Sequence, residues 1–137
     1  MCRWLAYSGS PLALEQLLYA PEHSLIVQSL HSQLGAEETN GDGFGVGWYG
    51  EQKAPAVFRS IEPAWNDRNL RELSGHVTSG LVFAHIRAST GSPVQQTNCH
   101  PFRHDRPRIN LSYPGFVAGR VRDDGAVVGD LCTGISR

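Results

Sequence analysis

The hydrophobic pattern of the chain alternates in some segments and repeats at helical spacing in others, which predicts a mixed α+β fold. Residues 3–8 alternate loosely and predict a strand that carries Cys2 at its leading end. The glycine-rich run 40–49 predicts a turn that enters a second strand, and residues 56–61 predict its hairpin partner. The apolar residues 81–86 predict a further strand.

Three other segments carry apolar residues at the spacing of an amphipathic helix. Ser10 and Pro11 are typical of a cap and a first helical position, and Pro21 ends the helix that they would open. Asn66 is a candidate cap for the third helix, which Gly80 stops before the next strand. The apolar stripes are formed by Leu14, Leu17 and Leu18, by Leu25, Ile26, Leu30 and Leu34, and by Leu70, Leu73 and Val77.

Length and composition limit the class of protein. A chain of 137 residues has the length of one domain and can bury a core without metal or disulfide staples. The net charge of −1 and the scattered basic residues give no field towards nucleic acid or an anionic membrane, so we expect neither partner. No basic leader precedes the early apolar stretch, and the three cysteines show no Cys-x-x-Cys spacing. We therefore expect a cytoplasmic protein with reduced thiols.

Cys2 is the first candidate for chemistry because it follows the initiator Met1 directly. Removal of Met1 would leave a cysteine whose thiol and free α-amine share one Cα, so the amine can act as the general base for the thiol. In model peptides the amine titrates near ~7.7–8.0 and the thiol near ~8.5, which makes this proton transfer feasible at neutral pH. The alternative is that Cys2 only begins a buried strand.

Alternating glycines at 41, 43, 45 and 47 form a second distinctive feature. Their spacing is wrong for a loop that cradles phosphates at the start of a helix, so we expect no dinucleotide cofactor. Glycine at every second position instead leaves one face of a strand bare. Such a face allows a sheet, a helix or a ligand to approach the backbone closely.

Arg87 closes the apolar strand 81–86 and is the best candidate in the chain for binding an anion. A buried guanidinium needs an acidic or polar partner, and a substrate carboxylate can accept two parallel hydrogen bonds from it. Pairing with an internal carboxylate is the alternative. His85 projects to the same face, and its alternative role is that of a hydrogen-bonded core histidine.

The segment 97–104 contains Cys99, His100 and His104, which are residue types that bind zinc. Pro101 disfavours the helix that would place the two histidines on one face, so we expect no metal site. A turn that supports the loop of Arg87 is the preferred interpretation.

Taken in order, these segments resemble the class II glutamine amidotransferases, whose catalytic domain is an N-terminal-nucleophile hydrolase. The Cys-Arg-Trp start is most similar to the stand-alone branch that includes the ergothioneine-pathway γ-glutamyl hydrolases. The resemblance implies an α+β fold, a partial αββα sandwich, without a cofactor. The segments that carry it are residues 1–7, 40–49, 85–90 and 98–102.

The resemblance also implies roles for individual residues. Cys2 would attack the γ-amide of glutamine or a γ-glutamyl compound, and water would then hydrolyse the γ-glutamyl thioester. Arg87 would hold the α-carboxylate of the substrate, and Thr90 would line the same pocket. The residues expected to support the surrounding loops are His85, Asn98 and His100.

The sequence departs from the family after about residue 104. Members have an Asn-Gly pair that forms the oxyanion hole and a later Asp that binds the substrate amine, whereas here Asn110 precedes Leu111 and no Asn-Gly occurs after residue 41. We expect a family domain over residues 1–104 and an unrelated tail over 105–137, as in a truncated copy. Losing one oxyanion donor costs on the order of 100–1,000-fold in turnover, so we expect very low activity.

Three functional classes follow from these observations. The first is a glutamine amidotransferase-like hydrolase, and the second is an inactive, truncated module that binds γ-glutamyl compounds. The third is a metal-dependent hydrolase that uses His85, His100 and His104 and is sensitive to chelators. In the tail, residues 126–128 form the only compact apolar run, so we expect exposed sheet edges and self-association through them.

Overall fold

The computed structural model shows a mixed arrangement of helices and antiparallel strands. It describes residues 2–31, 41–52, 54–89, 93–103, 109–110, 117–121 and 127–131. The helices are α1 (Leu14–Leu18), α2 (Leu25–Leu30) and α3 (Arg68–His76), with one 3-10 turn over Gln96–Asn98. The strands are β1 (Cys2–Ala13), β2 (Phe44–Trp48), β3 (Ala56–Ser60), β4 (Thr78–Ile86), β5 (Phe102–Arg103), β6 (Ile109–Asn110), β7 (Val117–Val121) and β8 (Val127–Leu131).

Six strands form the main sheet in the order β3-β2-β4-β1-β8-β7, and every neighbouring pair is antiparallel. The register places Trp4 of β1 opposite His85 of β4, and His85 opposite Gly45 of β2. Opposite residues in a sheet share a face, so these three residues lie in one row. A separate pair, β5 and β6, forms a small second sheet.

The hydrophobic core lies on the other face of the main sheet, beneath the helices. Successive side chains of a strand point to opposite faces, so β4 directs Val82, Ala84 and Ile86 to this side. Burying each leucine fully contributes about 1.5–3 kcal/mol relative to its exposed state. The buried members from the helices and neighbouring strands are Leu5, Tyr7, Leu14, Leu17, Leu18, Leu25, Ile26, Phe44, Val46, Ala64 and Leu70.

The predicted hairpin is confirmed, and a helix forms at each of the three predicted apolar stripes. Two members differ, because Val77 follows α3 in extended conformation and Leu30 is exposed. β2 and β3 pair antiparallel from Phe44 and Ser60 to Trp48 and Ala56. α2 begins after Ser24, whose hydroxyl oxygen accepts a hydrogen bond from the backbone N–H of Val27 (3.2 Å). Leu34, which the pattern placed on this helix, lies outside the described residues.

The predicted start of the first helix is wrong. Residues 10–13 continue β1, because Leu12 and Ala13 pair with Ser79 and Thr78 of β4 after an irregularity in register. The ring of proline fixes φ near ~−65°, a value that extended chain also tolerates. The helix begins at Leu14, where the side chain of Gln16 accepts the backbone N–H of Ala13 (3.0 Å).

The third helix also differs in detail from its prediction. Asp67 rather than Asn66 caps it, since the Asp67 carboxylate accepts the N–H of Leu70 (2.8 Å). Gly80 lies inside β4 and does not separate helix from strand. A Cβ at position 80 would lie 2.7 Å from the carbonyl oxygen of Gly9, so only glycine allows this close approach.

Three strands, β6, β7 and β8, lie in the region for which the sequence predicted no element. β8 pairs with β1 from Cys2 opposite Leu131 to Ala6 opposite Val127. This pairing makes β1 an interior strand of the main sheet. β3 and β7 are the outer strands, and self-association through them stays a prediction. Within the described ranges, no helix is long and apolar enough to cross a membrane.

Candidate active site

Cys2 lies at the first position of β1, against the turn that follows β4. Its side chain is buried, and the Sγ atom lies 3.4 Å from the carbonyl oxygen of Ala88, to which the thiol donates. The backbone N–H of Ala88 donates to the same sulfur at 3.3 Å. The thiol therefore contacts both the N–H and the carbonyl oxygen of Ala88, where the paired strands β1 and β4 end.

Burial and nearby charges act in opposite directions on this thiol. Burial raises the pKa of Cys2, and the carboxylate of Asp42 raises it further. The N–H of Ala88, the positive amino terminus and the guanidinium of Arg87 lower the pKa of the thiol, but burial dominates. A thiol with a raised pKa is protonated at neutral pH, so nucleophilic attack needs a base that takes its proton.

Arg87 is buried next to Ala88, and its guanidinium hydrogen-bonds to three segments of the chain. It donates to the carbonyl oxygen of Asp42 (3.4 Å), to the hydroxyl of Ser89 (3.3 Å) and to the carbonyl oxygen of Pro93 (3.0 Å). These acceptors are uncharged groups. The guanidinium thus links the turn before β2 to the loop after β4 and lies close enough to Cys2 to affect its pKa.

Asp42 belongs to the same site, although the sequence did not single it out. Its carboxylate accepts the backbone N–H of Ser89 at 2.6 Å. Its own N–H donates to the carbonyl oxygen of Arg87 at 3.3 Å, and the N–H of Arg87 donates to Gly43 at 2.8 Å. The available signal was an acidic residue between two glycines, directly before a strand. Gly43 has a φ of 104°, a conformation that favours glycine.

His85 lies under this site and is 2% exposed. Neither ring nitrogen has a hydrogen-bond partner among the described residues, so the alternative of a hydrogen-bonded core histidine is wrong there. The ring instead packs edge-on against His100, with centroids 4.8 Å apart, and His100 packs against Phe102 at 4.4 Å. Burial, with smaller contributions from His100 and Arg87, lowers the pKa of His85 to about 3.

This lowered pKa predicts that His85 makes the fold sensitive to acid. Between its folded pKa of about 3 and its usual 6.5, the unfolded state binds a proton at this residue that the folded state does not. Stability therefore falls as pH drops through this window, by up to about 1.4 kcal/mol per pH unit. The free energy of unfolding in urea, measured from pH 7 to 4, should fall with this slope. In His85→Phe the slope should be smaller by the contribution of one proton. Equal slopes for both proteins would show that His85 titrates normally.

The glycine face of β2 receives the segment around His100, which confirms the predicted close approach. A Cβ at Gly45 would clash with the carbonyl oxygen of His100, and a Cβ at Gly43 would lie 2.8 Å from the Cys99 sulfur. Cys99 is fully buried, and burial raises the pKa of its thiol. Its Sγ donates to the carbonyl oxygens of Ser60 and Gln95, both at 3.6 Å. The glycine face of β2 thus lets a turn pack directly on the backbone of the strand.

Of the other predicted site residues, the structure describes Asn98 but not Thr90 or His104. The amide of Asn98 donates to the carbonyl oxygen of Pro93 (3.0 Å), the same oxygen that Arg87 contacts. Thr90 and His104 lie outside the described residues. Among the residues that are described, no group of three or more histidine, cysteine or acidic side chains is placed to hold a metal ion.

Comparison with known proteins adds independent findings. The sequence profile of the family described as glutamine amidotransferases class-II matches residues 18–110. The probable glutamine amidotransferase DUG3 of Saccharomyces cerevisiae is 45% identical over 113 residues, which cover 76% of this chain and 32% of that protein. The gamma-glutamyl-hercynylcysteine sulfoxide hydrolase of Mycolicibacterium smegmatis is 31% identical over 119 residues, which cover 85% of this chain and 52% of that protein.

Two further comparisons extend over more of the chain. The hydrolase of the same name from Mycobacterium tuberculosis is 31% identical over 134 residues, 96% of this chain and 56% of that protein. The solved structure of a glutamine aminotransferase class-II domain protein from Silicibacter pomeroyi superposes with a TM-score of 0.51 at 32% identity, covering 88% of this chain and 38% of that one. The chain thus spans between a third and little more than half of the length of these proteins.

Proposed function

Because the chain belongs to the class II glutamine amidotransferase family, we propose that it cleaves the γ-amide of glutamine or of a γ-glutamyl compound with Cys2 as the nucleophile. The observation that carries this proposal is the position of the Cys2 thiol, held by Ala88 at the end of β1 beside the buried Arg87. A thiol in this position is close to a cation and to backbone donors, which are the groups that stabilise a thiolate and a bound carboxylate.

The mechanism begins with removal of Met1, which frees the α-amine of Cys2. The amine, directly or through one water, takes the thiol proton, and the thiolate attacks the γ-carbonyl carbon. The C–N bond breaks and ammonia or an amine leaves with a proton, so that a γ-glutamyl thioester remains on Cys2. Water then attacks this thioester, glutamate leaves, and the thiol is restored.

Arg87 has the role of fixing the substrate by its α-carboxylate. Its guanidinium is buried, and a carboxylate could replace one of its long contacts, such as that to the carbonyl oxygen of Asp42 at 3.4 Å. A carboxylate accepts charge-assisted hydrogen bonds that are about twice as strong as those between neutral groups. Thr90 is proposed to line the same pocket, and His85, Asn98 and His100 to support its loops.

The fold proposed for the whole catalytic unit is the αββα sandwich of N-terminal-nucleophile hydrolases. The helices packed on the six-stranded sheet support this proposal as one half of such a sandwich, and we assign the short pair β5 and β6 to its second sheet. The bacterial relatives are named as hydrolases of a γ-glutamyl compound. We therefore propose that γ-glutamyl amides are better substrates for this chain than free glutamine. A role in ergothioneine biosynthesis, which the resemblance of the Cys-Arg-Trp start implies, is part of this proposal.

A second candidate is a module that binds γ-glutamyl compounds without turnover. The observation that favours it is that no Asn-Gly pair occurs after residue 41. In the family, such a pair forms the oxyanion hole that stabilises the developing negative charge. Both candidates use Arg87 to bind the ligand. They differ in whether the γ-amide bond is broken.

Release of glutamate from glutamine and from γ-glutamyl amides tests the proposal. We expect slow release, about 100- to 1,000-fold below ordinary turnover, because the Asn-Gly pair expected to supply the oxyanion donors does not occur after residue 41. Asparagine is the matched control, since it is one methylene shorter and places its amide away from Cys2. Binding of γ-glutamyl ligands without release of glutamate would establish the second candidate, and neither binding nor release would contradict both.

A further inference from the structure

We propose that Asp42 is a positioning residue for Cys2, because it holds the turn 87–89 in the conformation that places Ala88 against the thiol. The inference deepens the proposed function, on which it rests in taking Cys2 as the reacting residue. Asp42 precedes β2 and is far from Cys2 in sequence, so only the fold brings the two together.

Three hydrogen bonds join Asp42 to this turn. The backbone N–H of Asp42 donates to the carbonyl oxygen of Arg87 at 3.3 Å, and the guanidinium of Arg87 donates to the carbonyl oxygen of Asp42 at 3.4 Å. The carboxylate of Asp42 accepts the N–H of Ser89 at 2.6 Å, which is the shortest of the three. The residues before and after Ala88 are therefore both fixed by one residue.

Ala88 transmits this constraint to the thiol. Its N–H donates to Sγ of Cys2 at 3.3 Å, and its carbonyl oxygen lies 3.4 Å from the same atom. A hydrogen bond to an ionised acceptor is short and strong, so the bond from Ser89 to the Asp42 carboxylate is the firmest link in this chain of contacts. Loss of that link frees the turn and with it the partners of the thiol.

The charge of Asp42 and its hydrogen bond to Ser89 have opposite effects on the pKa of the Cys2 thiol. Burial and the carboxylate raise the pKa of the Cys2 thiol, whereas the Ala88 N–H, the amino terminus and Arg87 lower it. Cys99 is a further titratable group, within the described ranges, that interacts with Cys2. An acidic residue at this position thus makes the thiolate harder to form while it holds the donor that stabilises the thiolate. The two effects separate when the charge alone is removed.

Asp67 provides a matched control for the loss of such a hydrogen bond. Its carboxylate accepts one backbone N–H, that of Leu70 at 2.8 Å, at the start of α3. Asp67→Ala removes a carboxylate-to-backbone bond of the same kind as Asp42→Ala does. Asp67 itself is not one of the groups that shift the pKa of the Cys2 thiol.

The experiment measures two reactions of Cys2 at several pH values, with the modified residue identified by peptide mass spectrometry. Iodoacetamide reports the ionisation of the thiol, and a glutamine-like affinity reagent reports the productive geometry. We expect Asp42→Asn to move the iodoacetamide profile to lower pH, because the charge that raises the thiol pKa is gone. We expect Asp42→Ala to react about tenfold more slowly with the affinity reagent, and Asp67→Ala to change neither reaction.

Each contrary result overturns the inference. Asp42→Ala loses the charge and also frees Ala88, so its iodoacetamide profile should lie at higher pH than that of Asp42→Asn. Coinciding profiles in the two variants, an unchanged affinity-reagent rate in Asp42→Ala, or an equal loss in Asp67→Ala would each show that Asp42 does not position Cys2. If Asp42→Ala fails to fold, the affinity-reagent rate of Asp42→Asn decides, because a neutral amide oxygen accepts the Ser89 N–H more weakly than a carboxylate does. A slower rate, compared at equal iodoacetamide reactivity, supports the inference, and an equal rate overturns it. If the unaltered protein does not react with the affinity reagent at Cys2, the proposed function fails, while the iodoacetamide profiles still test Asp42.

Discussion

Replacing Cys2 by serine should abolish covalent labelling by a glutamine-like affinity reagent, with a fall of more than about a thousandfold in the labelling rate. The reason is that a serine hydroxyl is far less nucleophilic than a thiolate. The stability of the fold should change little, because serine has nearly the size of cysteine and can keep both contacts to Ala88. Peptide mass spectrometry gives the labelled position, and thermal unfolding gives the stability.

Cys99 is the matched control for this change. It is also a buried thiol with a raised pKa, and its sulfur contacts the carbonyl oxygens of Ser60 and Gln95. No backbone N–H from the described part of the chain donates to it. Cys99→Ser should keep full labelling at Cys2. Labelling that persists at Cys99 or Cys132 in the Cys2→Ser protein would rule out Cys2 as the nucleophile.

Replacing Arg87 by alanine should weaken the binding of γ-glutamyl ligands by about 10- to 150-fold, since charge-assisted bonds contribute about 1.5–3 kcal/mol each. Arg87→Lys should recover little, because lysine cannot present two parallel donors to a carboxylate. Ligand affinity is measured by calorimetry alongside thermal unfolding. The same variants lose the contacts of Arg87 to Asp42, Ser89 and Pro93, so a lower melting temperature is expected as well.

Arg71 is a suitable control for the loss of a cationic side chain. Its guanidinium is 3.5 Å from the carboxylate of Glu15 and lies over the ring of Tyr19, on the helical side of the sheet. Arg71→Ala should leave ligand binding unchanged. Normal binding in Arg87→Ala and Arg87→Lys, together with early unfolding, would show that Arg87 only holds the loops together.

The sequence predicted those parts of the fold that depend on neighbouring residues. Alternation and glycine spacing predicted the hairpin of β2 and β3, and the bare glycine face does receive the turn at His100. The expectation for Ser10 and Pro11 was wrong because pairing of residues 12 and 13 with β4 outweighs the local preference for a helix start. Residues 126–128 were too short a run to predict a strand, since pairing with β1 is what stabilises β8.

The site shows the same division. Cys2 and Arg87 stood out by residue type and position, and the fold places both beside Ala88. Asp42 could not be assigned a role from the sequence, because its contact to Ser89 joins residues 47 positions apart. Contacts of that kind depend on the register of β2 against β4, which a single strand pattern does not determine.

The central claim is that Cys2 carries the γ-glutamyl group, and an acid-quenched mass measurement during incubation with a γ-glutamyl amide tests it most directly. We predict a protein that lacks Met1 and gains the mass of one γ-glutamyl group, located at Cys2 and absent from the Cys2→Ser protein. A γ-glutamyl group found on another residue, or glutamate released at an unchanged rate by the Cys2→Ser protein, would contradict the account.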